Sequence, residues 1–336
     1  MDKQPIDWEK YWELVRRSSR IVLTSHVRPD GDSLGSQTAM GEVLAGMGKK
    51  VMMINSDPVP PTLRFLDPEN RIRPLAELSD AERAEMAEAD LFVSLDTSAR
   101  AQLGKIFDTF VESKAVKAVI DHHVQRNDFP ANFFVDSDAP ATGSLVFDAV
   151  QAAGIPLTEP VAFKIFVALA TDTGWFRFAS VTAETYRMVA ALVEAGVRPD
   201  EAYRIIYERE SLGRMRLIGK ALAKTESLFD GRLMFTSLLL SDFAEAGAHK
   251  SESEDIVNLT LQVADSRLAI IMVEQTGGGF KISFRSRCAI DCSQLAAGFG
   301  GGGHQAAAGA FLAESYEKSR EMLLDAIEKA IAEHHI

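Results

Sequence analysis

The chain has 336 residues, 46% of them hydrophobic and 25% charged, which is material for two folded cores of ordinary globular composition. Its formal net charge of −12 argues against long duplex DNA or RNA as a partner, which needs a neutralising basic face, but leaves room for a small anion held by metals and a few arginines. The segment MDKQPIDWEKYW has no apolar stretch after its charges, and the most apolar run, Val161 to Ala170, is interrupted by Lys164 and too short to span a bilayer. A cytoplasmic protein is the expectation. The two cysteines, Cys288 and Cys292, lack a second Cys or His pair and read as small buried thiols.

In chain order, Trp8, Tyr11 and Trp12 open the sequence and are expected to pack on the first domain rather than to stack on bases. Short β-rich runs at 21–24, 50–54, 91–95, 117–120 and 133–135 predict buried parallel strands. Helical patterns lie between them. In 33–47, Met40, Val43, Leu44 and Met47 recur at i, i+3, i+4, i+7, and the acidic run 80–90 reads as a solvated helix face. Two more helices are expected at 143–172 and 182–196. After the break Val197-Arg198-Pro199, Asp200 is placed as the N-cap of a long helix reaching toward residue 228.

Past the turn signal Asp230-Gly231 the pattern changes. Runs at 233–240, 268–275 and 280–285 predict antiparallel strands, with Thr276-Gly277-Gly278-Gly279 as the hairpin between the last two. Helices follow at 254–264, 291–298 and 316–333. The expected fold is α/β: an N-terminal parallel-sheet domain (1–190) with helices on both faces, a linker helix (191–230) and a smaller mixed α+β domain (231–336).

Ligand-type residues fall at the ends of these elements. His26, Asp30 and Asp32 follow the first strand, Asp96 follows another, and Asp121-His122-His123 ends a third. Asp172 ends an apolar helical run. Taken singly, Asp32 or Asp96 reads as a helix cap, His26 as a satisfied histidine and Asp172 as part of a turn with Gly174. Taken together they converge on the carboxyl edge of a parallel sheet, where so many carboxylates repel unless cations neutralise them. Oxygen and imidazole donors suit Mn²⁺, with Mg²⁺, Fe²⁺ or Zn²⁺ as alternatives.

These stretches carry a resemblance. HVRPDGDSLGS (His26 to Ser36), SLDTS (Ser94 to Ser98), IDHHV (Ile120 to Val124) and ATDTGWF (Ala170 to Phe176) resemble the four motifs of the DHH phosphoesterase family, in order and spacing. GGGHQAAAG (Gly301 to Gly309) resembles the signature of the family's associated C-terminal domain. Length and layout are most similar to its bifunctional nano-RNases, which also dephosphorylate 3′-phosphoadenosine 5′-phosphate (PAP).

The resemblance implies two divalent metal ions, Mn²⁺ first. One is expected on His26, Asp30 and Asp96, the other on Asp32, Asp96, His122 and Asp172. Asp121 is expected to orient an imidazole, and His123 to face the scissile phosphate. Arg285, Gly301, Gly302, Gly303 and His304 are the expected substrate contacts, the glycine run closing its backbone N–H groups on an anion as a nest, in a cleft between the domains. The expected partners are short RNA oligonucleotides or small phosphorylated nucleotides, with no long duplex nucleic acid and no membrane; a homodimer stays open. A phosphodiesterase of cyclic di-AMP or pApA is the alternative enzyme, and a non-catalytic nucleotide-binding module the reading from another class. His249 reads as exposed, and His334-His335 as a frayed tail or tag remnant.

Overall fold

The computed structural model describes residues 5–123 and 129–334; Val124 and His335 lie outside them. The chain divides into two compact units, Met1–Glu208 and Arg209–Ile336.

In the first unit, α1 (Trp8–Arg17) is started by Asp7, whose carboxylate accepts from the Lys10 N–H at 3.0 Å. Its Tyr11 and Trp12 are buried, and the Trp12 indole donates to the Ala149 carbonyl at 2.7 Å. Six strands, β1 (Arg20–Thr24), β2 (Lys50–Asn55), β3 (Ile72–Pro74), β4 (Leu91–Leu95), β5 (Val116–Asp121) and β6 (Asn132–Val135), form one parallel sheet in the order β3-β2-β1-β4-β5-β6.

Every residue of β4 is buried, as a strand covered on both faces requires. Successive side chains feed opposite cores. Ile21, Leu23, Val93 and Ile120 meet α2 (Gly31–Gly46), whereas Val22, Phe92 and Val119 meet α3 (Asp80–Ala87) and, beyond the short α4 (Arg100–Leu103), α5 (Ile106–Glu112). On the α2 side also lie α6 (Thr142–Ala152), α7 (Glu159–Asp172), α8 (Ala183–Glu194) and α9 (Pro199–Tyr207).

Two helix expectations fail for local reasons. The single helix at 143–172 is α6 and α7, parted where Gly154 turns left-handed at φ +64° and Pro156 denies a helical N–H. The long helix from Asp200 toward 228 is also two pieces. Arg198, not Asp200, precedes α9, and a second helix, α10 (Leu212–Ala223), restarts where the Ser211 hydroxyl accepts from the Arg214 N–H at 2.9 Å.

The second unit carries α10 and a six-stranded sheet in the order β11-β12-β10-β9-β8-β7, from β7 (Glu226–Leu228), β8 (Leu233–Leu238), β9 (Leu268–Glu274), β10 (Phe280–Ser286), β11 (Gly302–Gly303) and β12 (Ala307–Leu312). One pairing departs from the antiparallel expectation: β8 and β9 run parallel. The chain between them holds α11 (Leu240–Ala246) and α12 (Ile256–Thr260), the crossover that parallel neighbours need. The expected β9–β10 hairpin is present. Alternate residues of β10, Phe280, Ile282 and Phe284, enter a core with α13 (Cys292–Ala297) and α14 (Tyr316–His334). Among the described residues no helix is long and apolar enough to cross a membrane.

Candidate metal centre

The strand order reverses between β1 and β4, so their carboxyl ends open a crevice of the kind that binds ligands in such sheets. The chain leaves β1 into His26 and enters α2 at a capping box, in which Asp30 accepts from the Ser33 N–H at 3.0 Å and its own N–H donates to the Ser33 hydroxyl at 2.9 Å. Asp30, not Asp32, is therefore the helix cap. Asp32 is free of that duty and lies in the first turn, 1% exposed.

Asp96 directly follows β4, in the left-handed region at φ 64° and 2% exposed. Its N–H donates to the Ile120 carbonyl of β5 at 2.9 Å, which fastens it beside Asp121 and His122. Asp172 is the last residue of α7.

Three groups of ligand atoms result, each within 4.8 Å: His26, Asp30 and Asp96; Asp32, His122 and Asp172; and Asp96, His122 and His123. His26 Nε2 stands 3.3 Å from Asp96 Oδ2 and 3.6 Å from Asp30 Oδ1. His122 Nε2 stands 3.6 Å from Asp96 Oδ1, 3.6 Å from Asp172 Oδ2 and 3.8 Å from Asp32 Oδ2. Most of these separations exceed a good hydrogen bond and fit donors that face a shared ion. Asp96 turns one oxygen to each imidazole.

The far sides of the rings are fixed. His26 Nδ1 lies 2.8 Å from the Val27 carbonyl and His122 Nδ1 3.2 Å from that of Ala139, so each places its proton on Nδ1 and presents Nε2. His123 Nδ1 is 2.8 Å from Asp121 Oδ1, and Asp121 Oδ2 accepts from the Ser98 hydroxyl at 2.6 Å. The sequence-derived ligand candidates thus meet at one place, with Asp121 behind His123.

Electrostatics point the same way. Burial, and then the charges of Asp96, Asp172 and Asp30, push the Asp32 carboxyl well above its ordinary range. Asp172 is raised chiefly by burial as well. Burial opposes charge on His26, yet the hydrogen bonds and charges of Asp30 and Asp96 prevail and lift it to about 11. A field that holds a proton there suits a divalent cation in its place, and the oxygen and imidazole donors match such an ion.

Sequence reasoning missed the residues that position these ligands. The N–H groups of Thr142 and Gly143, at the start of α6, donate to Asp32 Oδ2 and Oδ1 at 2.7 and 2.8 Å. The Thr142 hydroxyl donates to Asp96 Oδ1 at 2.8 Å, and that of Ser36 to Asp32 Oδ1 at 3.1 Å. Ala141-Thr142-Gly143-Ser144 carries the signal of a helix start, but nothing in one sequence ties it to Asp32, 110 positions away.

The expected substrate contacts all lie in the second unit. The Arg285 guanidinium is held by Asn258 Oδ1 at 2.9 Å and stands 3.5 Å from Asp255. The glycine run is not an open nest: Gly302 and Gly303 form β11 against β12, while the Gly301 and His304 N–H groups donate to the Ala296 and Ala307 carbonyls at 2.8 and 2.7 Å. Glycine is needed there because a Cβ on Gly301 would fall 2.1 Å from the Gly309 carbonyl oxygen. Gly302, Gly303 and His304 stay exposed.

Residues 20–171 match the DHH family, N-terminal domain, and residues 232–333 match the DHHA1 domain. The chain is 32% identical to the bifunctional oligoribonuclease and PAP phosphatase NrnA of Thermus thermophilus, over 96% of this chain and 97% of that one. The chain belongs to the DHH family. It is accordingly a hydrolytic phosphoesterase, and its acidic and imidazole residues are gathered in groups that could hold divalent metal ions. The NrnA of Bacillus subtilis is 26% identical over 96% of this chain and 99% of its own. An exopolyphosphatase-related protein from Bacteroides fragilis superposes with a TM-score of 0.83 at 28% identity, covering 96% of this chain and 95% of that one.

Proposed function

We propose that this DHH-family chain is a Mn²⁺-dependent phosphoesterase that hydrolyses short oligoribonucleotides to mononucleotides and PAP to AMP. The observation that carries the reading is Asp96, with one oxygen toward His26 and the other toward His122. In this reading His26, Asp30 and Asp96 hold one ion, and Asp32, Asp96, His122 and Asp172 the second. The relatives named bifunctional oligoribonuclease and PAP phosphatase support the substrate class.

When bound, the ions supply a water of lowered pKa and offset charge on the phosphoryl oxygens. The chain's own residues do the rest. Thr142 and the start of α6 keep Asp96 and Asp32 aimed inward. Asp121 bonds His123 at Nδ1, raises its pKa and leaves Nε2 free to give a proton or hydrogen bond to a phosphate or leaving oxygen. Arg285, Gly301, Gly302, Gly303 and His304 are the substrate-binding residues this reading assigns to the second unit.

One preparation with added Mn²⁺ tests this on PAP, pApA, a longer RNA and cyclic di-AMP. Rapid turnover of PAP and of dimers to pentamers, abolished by Asp96→Asn, is the expected result. A strong preference for cyclic di-AMP or for long RNA would refute it.

A further inference from the structure

The sheet crevice opens into a cavity of about 300 Å³ lined, among the described residues, by His26, Asp30, Asp96, His123, Thr97, Ala99 and Gln102. Four of these belong to the metal and imidazole groups. The Thr97 hydroxyl accepts from the Ala99 N–H at 3.2 Å on a residue only 3% exposed, and Ala99 offers only a methyl. That leaves Gln102, on α4, whose exposed carboxamide makes no hydrogen bond to a described residue.

Its backbone is fixed all the same. The Gln102 carbonyl accepts from the Val27 N–H at 2.6 Å, within the loop that carries His26 and Asp30. Ser56 holds the following residues, its hydroxyl donating to the Leu103 carbonyl at 2.6 Å and accepting from the Ile106 N–H at 3.0 Å. An exposed head group is thus mounted on a backbone bonded to the loop that carries His26 and Asp30.

We propose that Gln102 is a specificity-determining residue that hydrogen-bonds the ribose 2′-hydroxyl of the nucleotide undergoing hydrolysis. The inference rests on the reading of the centre as a nucleotide phosphoesterase. A carboxamide carries both donor and acceptor, as a hydroxyl does, so the two pair without leaving either unmatched. Gln102 gives the described lining an uncharged donor and acceptor beside the carboxylates and imidazoles, which matches a hydroxyl rather than a further phosphate. The 2′-hydroxyl is also the group by which a protein tells RNA from DNA.

The test is kcat/KM on pApA and on its 2′-deoxy analogue, measured with Mn²⁺ for the full chain, for Gln102→Ala and for the near-isosteric Gln102→Met. The ribo-to-deoxy ratio is expected to fall about tenfold in both variants, the worth of one hydrogen bond. Because each ratio is taken within one preparation, partial unfolding does not move it. An unchanged ratio overturns the role of Gln102 while leaving the phosphoesterase reading intact. So does a loss that instead follows the base, seen as a changed preference for pApA over pCpC. Failure of the unaltered chain to cleave either dinucleotide sinks both.

Discussion

At the scale of single residues, Asp96 is costly to place: it is buried, it adopts a backbone conformation that most side chains avoid, and it adds charge beside three other carboxylates. Aspartate and asparagine tolerate left-handed φ better than other residues, so Asp96→Asn alters the charge with little strain. Its orientation depends on Thr142. Thr142→Val keeps the shape and removes the donor to Asp96 Oδ1, so Mn²⁺ affinity should weaken about tenfold or more, the usual effect of losing a group that orients a ligand. Isothermal titration of the variant checks it, and wild-type affinity would show that α6 does not aim Asp96.

At the scale of elements, the centre depends on how closely α2, α6 and α7 approach. A Cβ on Gly35 would lie 2.6 Å from the Lys164 carbonyl oxygen, and one on Gly143 2.5 Å from Ala168 Cβ. Gly35→Ala should therefore force α2 and α7 apart and destabilise the fold by about 1–3 kcal/mol, read from denaturant unfolding. Asp148 of α6 gives a pH signature. Burial, then Glu184 and Asp136, raise its carboxyl to about 6, so the folded chain retains a proton that the unfolded chain has lost. Stability is then lost as pH rises from about 4 through about 6. Asp148→Asn removes that loss and should raise Tm at pH 8 but not at pH 3.

The same elements show what the sequence revealed. The buried strands were legible because short, mainly apolar runs such as Leu91–Leu95, with Ser94 its one polar residue, fit a sheet covered on both faces. The ligands were legible because their residue types fall at the ends of those runs. The helix breaks at Gly154 and Ser211, the parallel β8–β9 pairing and the short β3, β7 and β11 were not, since each is decided by a cap, a crossover or a neighbouring strand. Thr142 and Ser98 were hidden for a similar reason: their bonds to Asp96 and Asp121 join positions far apart in the sequence and leave no local pattern.

At the scale of the whole molecule, each unit has its own sheet and core, and the metal and imidazole groups lie entirely in the first. The clustered carboxylates of an acidic chain need cations to offset them, and the proposed function assigns two ions to the groups that could hold them. Metal stoichiometry, and Asp96 as the residue common to both ions, decide the proposed function. The direct measurement is a Mn²⁺ titration of the metal-stripped full chain, followed by calorimetry and electron paramagnetic resonance, beside Asp96→Asn. Two ions bound per chain with a spin-coupled signal are expected, and at most one, uncoupled, in the variant. A single ion at saturation in the unaltered chain, or two coupled ions in the variant, would contradict the proposed function.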